Sequence, residues 1–190
     1  MAIYSHKTSI LHPGLAGLIL MGLLVLPFNP AQAGQPLKPG TEVFAVAPEK
    51  VVEISYRTAN FWFLAHRWQV GQHFTLIFLK KGKPLPERCL AGRGFQKVLG
   101  QLTSLKLRQT PTPEQAKELL RLHPLSTWAE LVIRDNSALE PFQAWVRPVA
   151  DSSEEVWLHF HDATYRVALD HQVLDLISRG CQALASGRSS

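Results

Sequence analysis

The residues best equipped for chemistry stand near the C-terminal end of the chain, in "EVWLHFHDATYRVAL", Glu155 to Leu169. His159 and His161 are two apart and Asp162 follows at once. On an extended strand successive side chains alternate, so the two imidazoles would project from one face as a workable pair of zinc ligands, with His171, Asp162 or His73 as a third. The same alternation offers a second account. Val156, Leu158 and Phe160 would form a core face, leaving Trp157, His159 and His161 on an opposite face suited to docking a partner. The docking account is preferred, because a histidine pair on one strand arises readily by chance. No metal and no cofactor is therefore expected.

Other catalytic constellations are hard to assemble from this sequence. No serine lies in a G-x-S-x-G elbow or is flanked by glycines that would build an oxyanion hole. Glu154 and Glu155 are adjacent, so on a strand they point to opposite faces and cannot jointly flank a substrate. Cys89 has Arg88 beside it, which would favour a thiolate. Cys89 and Cys181 are, however, the two cysteines of the chain. In an oxidising compartment an even count at wide spacing points to a disulfide. No enzyme is expected.

Charge and aromatic content suggest binding instead. The chain carries a formal net charge of +5, unevenly spread. Lys80, Lys81, Lys83, Arg88, Arg93, Lys97, Lys106 and Arg108 face a single acid, Glu87, whereas acids outnumber arginines from Arg134 to Arg179. A basic stretch in an exported protein is directed at anionic headgroups or an acidic protein surface rather than at nucleic acid. Five tryptophans are many for one small core, and tryptophan and arginine dominate protein interfaces. The candidate contact residues are thus Lys80, Lys81, Lys83, Arg88, Arg93, Lys97, Trp157, His159 and His161.

These residues must be positioned by strands for the most part. "TEVFAV", "KVVEISY", "FWFLAHRW" and "HFTLIFL" are short and rich in β-branched and aromatic residues, with turns at Asn60, Gly71 and "KKGKPLPE". The period then changes. Phe95, Val98, Leu99, Leu102 and Leu105 in "FQKVLGQLTSL" share one helical face. "TPTPEQAKELLRLHP" begins a second helix with Thr112 as N-cap, Pro113 at the first position and Gln115 completing a capping box. "TWAELVIR", "FQAWVRPV", "EVWLHFH" and "TYRVAL" return to strands, with a turn at Asp162-Ala163. Asp170 caps a last helix with Val173, Leu174, Ile177 and Cys181 on its apolar face. The order predicts an α+β domain: antiparallel strands, two mid-chain helices and a C-terminal helix packed on one face of the sheet. It also admits two degenerate halves, each a run of strands followed by a helix.

The leader sets the compartment. "LAGLILMGLLVLPF", Leu15 to Phe28, is shorter than the roughly 20 apolar residues of a membrane span, and "AQA" at 31–33 fits a signal-peptidase site. The expected organisation is a cleaved signal peptide over 1–33, a flexible tether over 34–40 and a single domain over 41–190. Export would deliver the domain to the periplasm or a thylakoid lumen, peripheral to the membrane. The leading functional expectation is an accessory or assembly factor docked to a membrane protein complex or an anionic membrane surface. Second is a small-molecule or metal-binding module using His159 and His161. A hydrolase without a recognisable motif is third.

Overall fold

The computed structural model describes residues 38–186. The proposed signal peptide and residues 34–37 of the tether lie outside the described residues. Residues 38–40 form a turn whose Gly40 N–H donates to the Leu107 carbonyl at 2.7 Å, which docks this end of the tether.

The described residues form ten strands and four α-helices. The strands are β1 (Glu42–Ala45), β2 (Val51–Arg57), β3 (Phe61–His66), β4 (Thr75–Lys80), β5 (Glu87–Leu90), β6 (Ser104–Gln109), β7 (Ala129–Asp135), β8 (Phe142–Pro148), β9 (Glu155–Phe160) and β10 (Ala163–Ala168). The helices are α1 (Arg93–Leu102), α2 (Pro113–Leu122), α3 (His171–Arg179) and α4 (Cys181–Ser186). All ten strands join one sheet in the order β1-β6-β10-β9-β8-β7-β2-β3-β4-β5, and each neighbouring pair is antiparallel. The β7–β2 pair takes the sixth and seventh of the ten positions. On either side of it runs a four-strand meander, β2–β5 or β7–β10, and each meander is followed by a helix, α1 or α3.

Period-two alternation builds the core. One sheet face presents Ile54, Phe63, Leu76, Phe78, Leu131, Val146, Val156 and Leu158, which form a single buried cluster with Phe95, Val98 and Leu102 of α1, Val173 and Ile177 of α3, and Leu184 of α4. Aromatic rings pack across it, Phe63 on Phe78 and Phe74 on Phe95, each at 4.9 Å between centroids. Arg67, buried after β3, donates to the Val51, Pro48 and Glu49 carbonyls and lies 4.5 Å above the Phe74 ring. It thereby satisfies the turn that opens β2.

Cys89 of β5 and Cys181 of α4 are disulfide-bonded, with Cα atoms 5.8 Å apart. Helix α4 also reaches the start of α1, where the Gly92 N–H donates to the Leu184 carbonyl at 3.2 Å. Gly92 lacks a side-chain cap for α1, so a backbone carbonyl from α4 satisfies a donor that the helix start leaves open.

The α+β class holds, with the sheet dominant, and four details differ from the sequence reading. Helix α1 ends at Leu102, and Leu105 enters β6 with its side chain buried. An apolar i, i+2 pair at Leu105 and Leu107 suits a strand, and β6 is recruited between β1 and β10. "ERCL" is paired to β4 as strand β5. The last helix is broken at Gly180, whose φ of 90° ends α3 and lets Cys181 begin α4. Finally, α2 buries no residue and does not share the helical face. It shares a groove with Trp157, which alternates with Val156 and Leu158 and so belongs to the other face of the sheet.

Candidate functional site

The sheet face turned away from the core carries Arg88, Trp157 and His159 of the candidate residues, and its two halves are built differently. On the β7–β10 half, cross-strand register aligns Trp145, His159 and Thr164 in one row and Arg147, Trp157 and Arg166 in the next. His159 Nδ1 and Thr164 Oγ1 are 3.0 Å apart, and the Trp145 ring lies 6.0 Å from the imidazole. His159 is consequently buried instead of half-exposed. Burial lowers its pKa below the ordinary histidine range, with the Asp162 carboxylate partly opposing. Arg166 is bonded through Nε to Glu155 and reaches Asp151 with a second nitrogen at 3.4 Å.

His161 does not share the strand face with His159. Strand β9 ends at Phe160, and the turn is made by His161 and Asp162, which have φ of 46° and 61°. Positive φ at both central positions is the turn that matches the twist of a two-residue hairpin. Histidine and aspartate tolerate that region better than most residues. The expected Asp162-Ala163 turn is thus one residue late, and the slip moves His161 out of the alternation. Its exposed ring stacks on Phe160 at 3.9 Å. His171 opens α3 and its Nε2 is 2.7 Å from the Glu155 carbonyl. The three imidazoles are therefore engaged separately. Among the described residues no group of three or more His, Cys, Asp or Glu side chains is placed to hold a metal ion.

On the β2–β5 half the outward face is left uncovered by the described residues. Trp62 stands between Arg57 and Leu79, and Leu64 between Ser55 and Ile77, with Val132 next to Ser55 across the β7–β2 pair. Trp62 is 36% exposed and Leu79 43% exposed, while Leu64, Ile77 and Val132 are partly exposed. The Trp62 indole N–H donates to Ser55 Oγ at 2.8 Å, leaving its ring as surface. At the far end of β3, Trp68 is 85% exposed and tilts against His66. Alternation in "FWFLAHRW" turns Trp62, Leu64 and His66 outward. Ile77 and Leu79 belong to "LIFL", which is apolar on both parities and so marks a strand with two apolar faces.

The basic stretch is divided by the sheet. Lys81 and Lys83 lie in the exposed turn between β4 and β5, and Arg88 stands opposite Ile77 on the outward face. Lys80 pairs with Glu87 at 3.8 Å. Arg93 and Lys97 belong to α1, where Lys97 approaches Asp170 at 3.9 Å and Gln172 at 3.3 Å. Arg57, Lys81, Lys83 and Arg88 therefore border the Trp62–Leu79 surface, whereas Arg93 and Lys97 do not.

No family model, no curated protein and no solved structure matches this chain.

Proposed function

We propose that the protein is an exported binding protein without catalytic activity, an accessory or assembly factor that docks to a membrane protein complex through the outward face of β2–β5. The observation carrying this reading is the apolar surface of Trp62, Leu64, Ile77 and Leu79, uncovered among the described residues and bordered by Arg57, Lys81, Lys83 and Arg88. A contiguous apolar surface with a polar rim is the usual form of a protein contact site. A central tryptophan supplies large contact area, and basic rim residues steer an acidic partner to it.

Two further features support export and peripheral attachment. The Cys89–Cys181 pair at disulfide distance fits an oxidising compartment. No helix among the described residues is long and apolar enough to cross a membrane.

The test is affinity capture from detergent-solubilised native membranes at low salt, comparing the natural chain with Trp62→Ser/Leu79→Ser. The proposal expects a membrane protein that is retained by the natural chain, lost with the double variant, and weakened as salt screens the basic rim. Recovery of no membrane partner at low salt, or equal recovery by the variant, overturns it.

A further inference from the structure

Helix α2 spans the second half of the outward face as an arch. Its first turn is closed by its own capping box, Gln115 N–H to Thr112 Oγ1 at 3.2 Å and Thr112 N–H to Gln115 Oε1 at 3.0 Å, and the start is anchored by the buried Pro111 just before it. Its end is held by the buried Trp128, whose indole N–H donates to the His123 carbonyl at 2.8 Å. Between these two supports nothing on the helix is buried, and Ala116, Leu119 and Leu120 are only partly covered. Protein interiors normally fill such space. Here a groove of about 570 Å³ remains between α2 and the sheet, within the range of about 300–1,000 Å³ found for small-molecule sites.

The lining sets the chemistry. Trp157, Leu119 and Pro111 supply apolar surface, and Gln109, Glu114 and Arg166 supply the polar groups. Arg166 lies 5.9 Å from the Trp157 ring centroid, but Glu155 and Asp151 already occupy its guanidinium. Glu118, also at the groove, is taken by Arg121 at 2.7 Å. Glu114, in the first turn of α2, has no ion-pair partner among the described residues, so it is the groove carboxylate not taken by a basic side chain. We infer that this groove is a binding site for a small organic cation with a planar aromatic body, which stacks on Trp157 against Leu119 and places its ammonium at Glu114. This is independent of the docking surface, which lies on the other half of the sheet.

The experiment is titration of the isotopically labelled full-length protein, reading the Trp157 indole N–H resonance by NMR. The probes are tryptamine and its anionic counterpart, indole-3-propionate. Tryptamine should shift Trp157 saturably at millimolar concentration, the affinity range of a fragment, and indole-3-propionate should bind about tenfold more weakly or not at all. Glu114→Gln, on an exposed helix turn, should lower tryptamine affinity several-fold without altering the spectrum elsewhere. Equal or tighter binding of the anion would assign the polar contact to Arg166 and overturn the inference. So would unchanged tryptamine binding by Glu114→Gln, or the absence of a saturable shift.

Discussion

Replacing both cysteines, Cys89→Ala together with Cys181→Ala, should remove about as much stability as truncating one of the largest core side chains. The bridge joins residues 92 apart in sequence, and closing a loop of that length in the unfolded chain is worth about 4.6 kcal/mol in the chain-entropy model. A domain of this size is stable by only about 5–15 kcal/mol in total, so the loss is a large share. Native contacts suffer less, because β5 stays paired to β4 and α4 keeps Leu184 buried and the Gly92 hydrogen bond. The assay is urea unfolding followed by tryptophan fluorescence, comparing the oxidised natural chain, the same chain reduced, and the double variant. With a slope of about 2 kcal/mol per molar urea, the midpoint should fall by about 2 M in both unbridged forms. The slope should also rise, since an uncrosslinked unfolded chain exposes more surface. A fall below about 0.5 M, that is about 1 kcal/mol at the same slope, would refute the account. It would mean that α4 and β5 hold each other without the bridge, or that the unbridged chain remains compact when unfolded.

Three other outcomes follow from local geometry and electrostatics. A Cβ at Gly92 would stand 1.8 Å from the Ala185 carbonyl oxygen, a backbone atom that cannot swing aside. Gly92→Ala should therefore displace α4, uncovering Leu184 at a cost of about 2–3 kcal/mol and removing hydrogen-exchange protection from the Gly92-side contact; Gly100→Ala, with nothing within 4 Å, should instead stabilise α1 by about 0.5–1 kcal/mol. Stability should fall as pH drops below about 6.5, because the unfolded chain protonates His159 before the folded one does, its native pKa being lowered chiefly by burial. The decline should level off once pH passes below the native pKa, and His159→Gln should flatten that window; a pH profile over it that is unchanged by the substitution would contradict the burial argument.

Much of the architecture was legible because burial enforces period two on strands and three-to-four spacing on helices. "FWFLAHRW" shows this well: Phe63 and Ala65 are buried, and Trp62 and Leu64 are not. The capping box at Thr112 likewise forms from residues three apart in sequence, with no tertiary help needed. What could not be read depends on partners distant in the chain. Leu105 satisfies both a helical and a strand pattern until β1 and β10 take up β6 from either side. His159 looks half-exposed until Thr164 and Trp145 close around it. The hairpin turn slipped by one residue because neither His161 nor Asp162 is a glycine, so composition did not mark the positive-φ pair.

The uncovered half-sheet itself follows from connectivity. Strands β2 to β5 are joined by local turns, so none of the described connections between them crosses their outward face. Strand β6 lies four strand positions from β7, a span of about 19 Å at about 4.8 Å per strand. The segment between them must travel that distance, and α2, about 15 Å long by its ten residues, covers most of it on the outward side. Trp128 and Trp157 are shaded on that half as a result. Trp62 and Leu79 have the same outward parity but receive no such cover from the described residues. Since both halves place aromatic residues outward and only one is shaded from within, the other is the place where cover from a second molecule has the most apolar surface to gain.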